Sequence, residues 1–567
     1  MVPQPEPPLR TRRLRWCNAV VAALLAPTAA VLGWLLVPER HDAILARLLF
    51  WTMPPALLFA AIAAGCRLRG AATTPAAWLR AQWPGLVLAM ATTLAIAAAV
   101  PSRMRVQFDE TSLYGASQNM HRQQLAVMTT GAEPYRGELV PVEMTVDKRP
   151  PLFAFLVSLL HSLRGVRIDN VYVLNLMLLG LAQWIAFAAI RARLGLLAGL
   201  CAPLLLLAVP LSTILATSAG FELLATVLFL ATVLAAIDFD ERSDAGRQAW
   251  FCGLGVLFAA SRYEALPAML LIVAMVAWRV RGRCQSLPVT RLLLATSSVL
   301  LTPLLLLLLH ARQAKFYPEA GGRPLFALEH FTAHVGPFLT HWFAPALANP
   351  LPGVVAIVAA GALLLRTRAR PWTFGERLAA WPVLAITLLT LAWFVGDVQE
   401  VIALRLFLPM AWLTALAPLW LVVRFGARAA GALLMACCVL VPLRIAAVAR
   451  DEAMPVTAAA RVTAAIDALV AANAPDAATT LWIATPAQHL IVLGYAALCP
   501  NSFLQRAAGV QALRQQGDVR AIFVLTTPLD AALAGGMGDP ARVLQLCPHD
   551  LVVRTDGEVA LALYRLR

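Results

Sequence analysis

Lysine is nearly missing from this 567-residue chain, since only Lys148 and Lys315 stand among its 46 basic residues. Charged residues of all kinds make up 14% of the sequence, whereas average proteins carry about 25%. No glycine-rich phosphate loop, nucleotide-binding fingerprint, internal repeat or low-complexity linker is visible. These shortages exclude an ordinary soluble domain and the common nucleotide-binding classes.

Cysteine is scarce as well, at nine residues, and none has the spacing of a metal site. Cys499 and Cys547 fall in the C-terminal region, which we place outside the cytoplasm, so a disulfide is allowed between them. Its formation cannot be read from the sequence. The other seven lie in or beside apolar runs, where cysteine behaves as a small hydrophobic residue: Cys17, Cys66, Cys201, Cys252, Cys284, Cys437 and Cys438.

Long apolar runs are what the chain has in abundance. Hydrophobic residues make up 60% of it, the mean hydropathy is +0.73, and many runs approach the roughly 20 residues of a bilayer span. The first run follows four arginines but shows no cleavage site after a short core, so we interpret it as an anchor and not as a cleaved signal. We predict an all-α polytopic membrane protein with about thirteen spans: 17–37, 45–66, 83–101, 170–190, 195–216, 218–238, 249–262, 264–280, 291–310, 351–366, 378–395, 403–423 and 429–448.

Arginine-rich turns follow every second predicted span, and cytoplasmic arginine sets the orientation of membrane proteins. They place the N-terminus inside, and they place the long polar segments 102–150, 311–350, 396–405 and the tail after 450 on one outer face. The acidic turn Asp238–Asp244 is the exception on the inner side. The net charge of +15 therefore reports topology and does not indicate nucleic acid.

The chain changes character after residue 450. A helical pattern at Pro455–Ala472 and strand-like runs at Thr480–Ala484 and Ala521–Thr526 predict a small soluble α/β domain. Its simplest interpretation is a packing or lid domain without chemistry. The predicted divisions are an N-terminal tail with three spans (1–101), a large outer loop (102–169), the remaining spans with the outer loop 311–350 (170–450), and the α/β domain (451–567).

The outer loop carries an adjacent acid pair, Asp109-Glu110, a few residues after a predicted span. The spacing of Tyr114 and Met120 fits a short helix that begins near Asp109. A carboxylate at the membrane boundary can act as a general base on an acceptor hydroxyl when a neighbouring charge adjusts its pKa. From the residue pattern alone, a helix cap followed by a solvated acid remains the alternative.

The same loop ends with the basic pair Lys148-Arg149, directly before Pro150-Pro151. The apolar segment Pro151–Arg164 is too short to span, so we predict a proline-initiated helix that lies on the membrane. Cations beside a helix N-terminus favour an anion such as a phosphodiester. Binding of ordinary anionic lipid headgroups is the alternative for this pair.

Four charged residues at the outer ends of later spans are further candidates, because charge at a bilayer boundary needs a partner. Arg262 is expected to meet a phosphate, with Glu264 positioning it, although a purely structural ion pair explains the two equally well. Glu222 lies just inside a span and faces the same side. Arg405 opens a late span, in Leu404-Arg-Leu-Phe-Leu-Pro409.

The second outer loop contains three histidines after Glu329, namely His330, His334 and His341. The order Glu-His-x-x-x-His differs from the zinc protease motif, in which Glu follows the first His. We interpret the segment as an amphipathic helix with interfacial histidines. Lys315 in the same loop is a candidate contact for a lipid headgroup or an acceptor.

The outer loop resembles the first outer loop of the GT-C glycosyltransferases, in particular the branch of the protein O-mannosyltransferases and the lipid A aminoarabinose transferase. The resemblance covers residues 83 to about 280 and rests on the order of four pieces after a span: Asp109-Glu-x-x-x-Tyr114, Gly131-x-x-Pro134-Tyr135, Lys148-x-Pro-Pro-Leu152 and an apolar helix ending in Gly165. It implies that Asp109 is catalytic and that Lys148 lies near the donor phosphate.

The resemblance extends to the basic and acidic residues at the ends of later spans, and it implies one group of substrate-binding residues: Lys148, Arg149, Arg262, Glu264, Arg405 and Tyr135. Arg149 departs from the usual Lys-Pro-Pro of the family, and Thr-Ser-Leu stands where a small residue and Arg often precede the tyrosine. These departures leave the donor preference open.

The sequence thus predicts an inverting glycosyltransferase that moves a sugar from a polyprenyl-phosphate donor to an envelope lipid, protein or glycan, at the outer face of a bacterial cytoplasmic membrane. Asp109 would be the base, and Glu110 would support its position or pKa. No cofactor is required, and a divalent metal is allowed but not implied. A flippase or transporter of polyprenyl-linked sugars and a non-catalytic subunit of an envelope assembly are the competing interpretations.

Overall fold

The computed structural model describes residues 41–69, 75–106, 108–280, 290–311, 324–367, 371–453, 458–473, 476–485, 487–530, 537–556 and 559–567. The predicted first span at 17–37, the N-terminal arginines and Lys315 lie outside these residues.

Apolar helices dominate the chain up to residue 449. In chain order they are α1 (His41–Trp51), α2 (Met53–Arg69), α3 (Pro75–Ala99), α4 (Phe108–Gln123), α5 (Leu152–Arg164), α6 (Asp169–Leu194), α7 (Leu196–Leu207), α8 (Pro210–Ala216), α9 (Glu222–Glu241), α10 (Ala245–Ala259), α11 (Ala265–Val280), α12 (Thr290–Ala311), α13 (Leu328–Phe343), α14 (Val354–Thr367), α15 (Phe374–Leu391), α16 (Val401–Leu404), α17 (Leu408–Leu416), α18 (Leu419–Phe425) and α19 (Ala427–Ala449). A 3-10 turn, Arg405–Phe407, joins α16 to α17.

Eight helical segments of the described chain are long and apolar enough to cross a membrane, and the bent pair of α7 and α8 would make a ninth. The chain is therefore a multi-pass helical membrane protein, as predicted. The predicted spans at 249–262, 264–280 and 351–366 correspond to helices of only 15, 16 and 14 residues. The count of thirteen spans stays a prediction, because these helices are shorter than a bilayer crossing normally requires.

The outer loop begins and ends with the two predicted helices. Helix α4 carries Asp109 and Glu110 in its first turn, where the helix dipole favours acids. Helix α5 starts after Pro150-Pro151 and ends at Gly165, whose φ of +77° suits glycine. Helices α4 and α5 pack against each other, and His161 of α5 contacts Ser117 of α4 at 3.0 Å.

A β-hairpin between these helices escaped the sequence analysis. Strands β1 (Val127–Tyr135) and β2 (Glu138–Val146) pair in antiparallel fashion. Arg136 and Gly137 form the two-residue turn with φ values of +52° and +79°, which is the geometry of a type I′ hairpin turn. The hairpin begins close to α4 and returns the chain to Asp147 and the basic pair.

The region after residue 450 contains the predicted strands within a five-stranded sheet. The described elements are α20 (Ala458–Asn473), β3 (Thr480–Ile483), α21 (Ala487–Val492), β4 (Ala496–Leu498), α22 (Pro500–Gln516), β5 (Ala521–Thr526), α23 (Pro540–Leu546), β6 (His549–Asp556) and β7 (Ala560–Leu566). The order of the strands in the sheet is β4-β3-β5-β7-β6. Strands β3 and β4 are parallel to each other, as are β3 and β5, whereas β7 runs antiparallel to β5 and β6. Cys499 and Cys547 are free thiols in this structure.

This α/β region packs directly on the outer loop. Glu133 of β1 accepts a hydrogen bond from Arg506 Nε at 2.7 Å, and Glu143 of β2 accepts one from the Ser502 hydroxyl at 2.7 Å. Val492 of α21 packs into the same apolar core as the membrane helices. The loop that carries the acid pair is thus enclosed between membrane helices and the α/β region.

The segment with the three histidines forms the predicted helix, α13. His334 is buried and its Nδ1 lies 2.9 Å from the carbonyl oxygen of Leu391, while His330 Nε2 lies 3.1 Å from that of Pro324. Within the described residues no group of three His, Cys, Asp or Glu side chains could hold a metal ion. His334 thus contacts the last residue of α15, and His330 contacts the segment before its own helix.

The acidic turn that broke the arginine pattern is neutralised by arginines from other helices. Asp238 accepts hydrogen bonds from Arg67 Nε at 2.7 Å and from Arg247 Nε at 2.9 Å. Arg279 lies 3.5 Å from Asp240, and Arg193 lies 3.5 Å from Glu241. Three of these four arginines, Arg67, Arg193 and Arg279, belong to the predicted arginine-rich turns and are also counterions of the acids at the end of α9.

Candidate active site

Seven charged residues at the base of the outer loop form one continuous run of ion pairs. We call this run the ionic chain. Four carboxylates alternate in it with three guanidinium groups, and the members come from five places in the sequence. In order of contact they are Asp147, Arg149, Asp109, Arg405, Glu222, Arg262 and Glu264.

Asp109 is the middle carboxylate and lies in the first turn of α4. Arg149 Nε donates to its Oδ1 at 3.0 Å, and Arg405 Nη2 donates to its Oδ2. Burial by itself raises the pKa of this carboxyl, but the charges and hydrogen bonds of the two arginines outweigh burial and hold the pKa well below its usual range. Asp109 is therefore ionised, while 26% of its side chain remains exposed.

Arg149 is held from the other side by Asp147. The two side chains meet at 2.8 Å, and the backbone N–H of Arg149 also donates to Asp147 Oδ1 at 3.1 Å. This local turn precedes Pro150-Pro151 and points the guanidinium at α4. The residue that the structure places on Asp109 is thus Arg149, which is the departure from the family pattern, whereas Lys148 is half-buried beside it.

Glu222 joins the two arginines that come from the later spans. Its Oε1 lies 2.6 Å from Arg262 Nη1 and 2.9 Å from Arg405 Nη1. Glu222 is the first residue of α9, where the positive end of the helix dipole favours an acid. Only 2% of its side chain is exposed, so it is a fixed anion between two cations.

Arg262 lies in the turn between α10 and α11 and completes the ionic chain. Its Nε donates to Glu264 at 3.1 Å, and its guanidinium lies 4.4 Å from the ring centroid of Phe221. Burial lowers the pKa of this arginine, but Glu264 and Glu222 outweigh burial, so the pKa stands above its ordinary value. Arg262 is a permanent positive charge.

A pocket opens beside the second half of the ionic chain. One wall is charged and is formed by Glu222, Arg262, Glu264 and Arg405. The other wall is apolar and is formed largely by Phe229, Phe258, Ile386, Leu406 and Pro409. The lining thus offers charge and hydrocarbon together, but the cavity is only about 30 Å³, so an amphipathic ligand with an anionic group at one end requires it to widen.

Glu110 is bound by the backbone and not by an arginine of the ionic chain in the hydrogen bonds that the described residues show. Its carboxylate accepts hydrogen bonds from the backbone N–H groups of Arg105 at 2.5 Å, Val106 at 2.8 Å and Ala219 at 3.1 Å. Burial raises the pKa of Glu110 in spite of these bonds. Glu110 therefore ties the start of α4 to the loop before α9, and its support of Asp109 stays a prediction.

Tyr135 does not join the other candidates. It is the last residue of β1, and a nine-residue strand runs roughly 27–30 Å from its first residue to its last. Tyr135 is partly exposed and stacks with Arg136, whose guanidinium lies 5.1 Å from the ring centroid. The prediction that it shares the substrate site fails because β1 carries it to the far end of the hairpin.

The fold brings together Asp109, Arg149, Arg262, Glu264 and Arg405 from the predicted set. Sequence reasoning left Glu222 out of the predicted substrate-binding group and gave Asp147 no role, yet Glu222 joins two arginines of the ionic chain and Asp147 forms one end of it. A signal for Glu222 was present, since an acid in the first turn of a span is costly unless it is paired. For Asp147 the signal was its place two residues before Arg149, the spacing of a local side-chain turn.

Comparison with solved structures shows which known fold this is. The chain is similar to ArnT from Cupriavidus metallidurans bound to undecaprenyl phosphate, with a TM-score of 0.53 over 86% of this chain and 98% of that one, at 13% identity. At 13% identity this likeness shows a shared fold, and the fold is the one that the resemblance of the outer loop implied.

Two further solved structures are similar at lower scores. The Archaeoglobus fulgidus oligosaccharyltransferase tethered to an acceptor peptide has a TM-score of 0.45 at 14% identity, over 85% of this chain and 74% of that one. Arabinosyltransferase EmbB from Mycobacterium smegmatis has a TM-score of 0.34 at 13% identity, over 67% and 42%. No protein-family model and no curated protein matches the sequence.

Proposed function

We propose that this protein is an inverting membrane glycosyltransferase that transfers a sugar from a polyprenyl-phosphate donor to a hydroxyl of an envelope lipid, protein or glycan. The observation that carries the proposal is the position of Arg405, which contacts Asp109 and also lines the amphipathic pocket. A partly exposed carboxylate and a site for an anionic lipid are thereby adjacent. The GT-C fold supports the same class of reaction.

The donor would bind with its phosphate at the charged wall and its polyprenyl chain along the apolar wall. Arg262 and Arg405 are the cations of that wall, and guanidinium groups bind phosphate oxygens in a bidentate manner. The solved ArnT structure, which has this fold, contains undecaprenyl phosphate. For the present chain the lipid class is our inference from the lining of the pocket.

The transfer would be a single displacement. The acceptor oxygen forms a bond to the anomeric carbon of the sugar and gives its proton to Asp109, while the bond from that carbon to the phosphate oxygen breaks. The electron pair of the broken bond goes to the phosphate, which leaves as polyprenyl phosphate, and Arg262 and Arg405 stabilise the added negative charge. A phosphate leaves readily as an anion, so the step requires no general acid and no metal.

The acceptor would approach on the side of Asp109. That carboxylate is 26% exposed, whereas the side chain of Arg405 behind it is 3% exposed. We infer that donor and acceptor arrive from opposite sides of Arg405. We further propose that this side is the outer face of a bacterial cytoplasmic membrane, which cysteine labelling of the region after residue 450 in intact cells would test.

A transporter of polyprenyl-linked sugars is the competing function. Transporters place their charged sites near the bilayer midplane, whereas here Glu222 is the first residue of a span and Arg405 is the fifth residue of the segment Val401–Phe425. The charges thus collect at the ends of spans, which favours an enzyme that works at one membrane face.

The proposal is tested by replacing the base. Asp109→Asn keeps the size of the side chain but removes the proton acceptor, and we expect transfer to fall by about 10²-fold or more. The substrates would first be found by mass spectrometry of envelope glycolipids and glycoproteins from cells with and without the protein. Transfer at the wild-type rate by a well-expressed D109N protein would refute the assignment of the base.

A further inference from the structure

Arg405 is shared between the base and the pocket, and this sharing has a consequence for the order of events. Its Nη2 donates to Asp109, its Nη1 lies 2.9 Å from Glu222, and its Nε donates to the carbonyl oxygen of Ile402 at 3.1 Å. Each nitrogen of this guanidinium therefore lies within 3.1 Å of a protein oxygen, although Nη1 makes no hydrogen bond within the described residues.

The other two arginines of the ionic chain are also occupied twice. Arg149 contacts Asp109 and Asp147, and Arg262 contacts Glu222 and Glu264. The ionic chain as a whole holds four carboxylates and three guanidinium groups. An anionic phosphate that binds one of these arginines adds negative charge to a set that already has one carboxylate more than it has guanidinium groups, so the phosphate competes with the carboxylates for that arginine.

The carboxylate that leaves Arg405 can be identified from exposure. Each acid would keep its second arginine, Arg149 for Asp109 and Arg262 for Glu222, but the charge that Arg405 no longer balances must be solvated by water, because poorly compensated buried charge is costly. Glu222 is 2% exposed and cannot regain water without a larger rearrangement, whereas Asp109 is 26% exposed. Of the two acids on Arg405, Asp109 is the one that can leave.

We propose that the donor phosphate uncovers the base: it takes Arg405 from Asp109, so the carboxylate can accept the proton of the acceptor only when the donor is in place. This inference rests on the proposed function. It predicts an ordered reaction in which the donor binds before the acceptor is activated. After transfer, departure of polyprenyl phosphate returns Arg405 to Asp109 and masks the base again.

The test uses competition between Asp109 and phosphate for Arg405. If the two compete, removal of the Asp109 charge must tighten phosphate binding, since coupling between two ligands of one group is reciprocal. We expect D109N to bind radiolabelled undecaprenyl phosphate about fivefold or more tightly than the wild type, measured with the full chain in lipid nanodiscs. The same variant is expected to be inactive in transfer, so affinity and activity move in opposite directions.

The matched control is Glu133→Gln. Glu133 is a buried acid of the same outer loop with an arginine partner, Arg506, but it belongs to the hairpin and not to the ionic chain. Its replacement is expected to leave the affinity unchanged. Asp109→Ser replaces D109N if the latter does not fold, as judged by gel filtration in detergent.

The outcomes separate this inference from the proposed function. If the wild type and D109N both fail to bind undecaprenyl phosphate, the proposed function itself is wrong. If both bind it with equal affinity, or D109N binds it less tightly, the function stands and the uncovering of the base is refuted. The inference is also refuted if E133Q tightens binding as much as D109N, or if Glu264→Gln tightens it and D109N does not.

Discussion

The two ends of helix α9 carry the same chemistry in different surroundings. At its first residue, Glu222 pairs with Arg262 and Arg405 at 2.6 and 2.9 Å. In its last turn, Asp238 pairs with Arg67 and Arg247 at 2.7 and 2.9 Å. The side chain of Glu222 is 2% exposed, whereas that of Asp238 is 29% exposed.

The difference in burial between Glu222 and Asp238 distinguishes the candidate site at the first residue of α9 from the ion pairs in its last turn. Exposed ion pairs are screened by water and contribute little to stability. Buried pairs lose hydration, so the ionic chain is costly to assemble and strongly destabilising to break. The helix dipole adds to the contrast, because it favours the acid at the first residue of α9 and opposes the three acids of its last turn. The pairs at Asp238 neutralise an acid of the last turn, whereas the pairs at Glu222 fix Arg262 and Arg405 beside the pocket.

The largest expected effect comes from removing Glu222, the acid that two arginines share at the first residue of α9. Glu222→Ala leaves Arg262 and Arg405 with one carboxylate each in a buried place, and we expect a loss of about 3–5 kcal/mol in the free energy of unfolding together with loss of transfer. Asp238→Ala is the matched change and should cost about 1 kcal/mol or less. Both are measured by chemical denaturation in detergent. Equal losses for the two variants would remove the distinction between the ends.

The next effect concerns the arginines and is expected in catalysis more than in stability. Arg262→Gln removes one of two cations at the proposed phosphate site, and loss of one such group lowers the transfer rate by about 10²-fold or more. Arg247→Gln at the other end should keep transfer within about twofold of the wild type, since surface pairs have little effect. Single-turnover assays with saturating donor measure the two rates. Comparable losses in both variants would contradict a special role for Arg262.

A smaller effect is expected in the pH dependence. Arg149 lowers the pKa of Asp109 in the free enzyme, so Arg149→Gln should raise that pKa toward its ordinary value. Because kcat/KM reports ionisations of the free enzyme, its acid limb should move to higher pH in this variant. A depressed carboxyl pKa also stabilises the fold above the ordinary pKa of aspartate, about 4, and this stability is lost as the pH falls through the folded-state value. The acid limb is followed from pH 3 to pH 7, and an unmoved limb would show that Asp109 is not the titrating base.

The smallest expected effect is that of metal removal. Three arginines in the ionic chain supply the positive charge that a divalent ion supplies in other phosphate sites. We therefore expect transfer to keep its rate after treatment with a chelator and dialysis. A loss of activity that is restored by added Mg²⁺ or Mn²⁺ would show that the arginines do not suffice.

The sequence predicted the chemistry of the site better than its geometry. Asp109, Arg262 and Arg405 were found because charge at the end of a span demands a partner, but which acid meets which arginine depends on how distant helices pack. Glu222 appeared as an isolated acid, and only the fold places it between two arginines. The identity of the arginine on Asp109 was equally hidden, since Lys148 and Arg149 are adjacent in sequence.

The hairpin was missed for a local reason. Strand β1 contains Gly131 and Pro134, which interrupt the alternation by which strands are recognised. The sign that remained was Arg136-Gly137, a weaker hairpin signal than Asn-Gly. Tyr135 was assigned to the substrate site from the resemblance of the Gly131-x-x-Pro134-Tyr135 segment, which does not show that the residue lies at the far end of a hairpin. The span count was uncertain for a related reason, because apolar runs of 14–16 residues occur both as spans and as shorter helices.

The long separation between Asp109 and Arg405 also bears on how the protein is made. The two residues are 296 positions apart, and a ribosome that adds about 5–20 residues per second needs roughly 15 to 60 s to cover that distance. During this interval the nascent outer loop has its aspartate and Arg149 but lacks the span that delivers the second cation. The loop therefore stays exposed to proteases and chaperones until late in synthesis, and a truncation before residue 405 should yield a chain that is inserted but degraded.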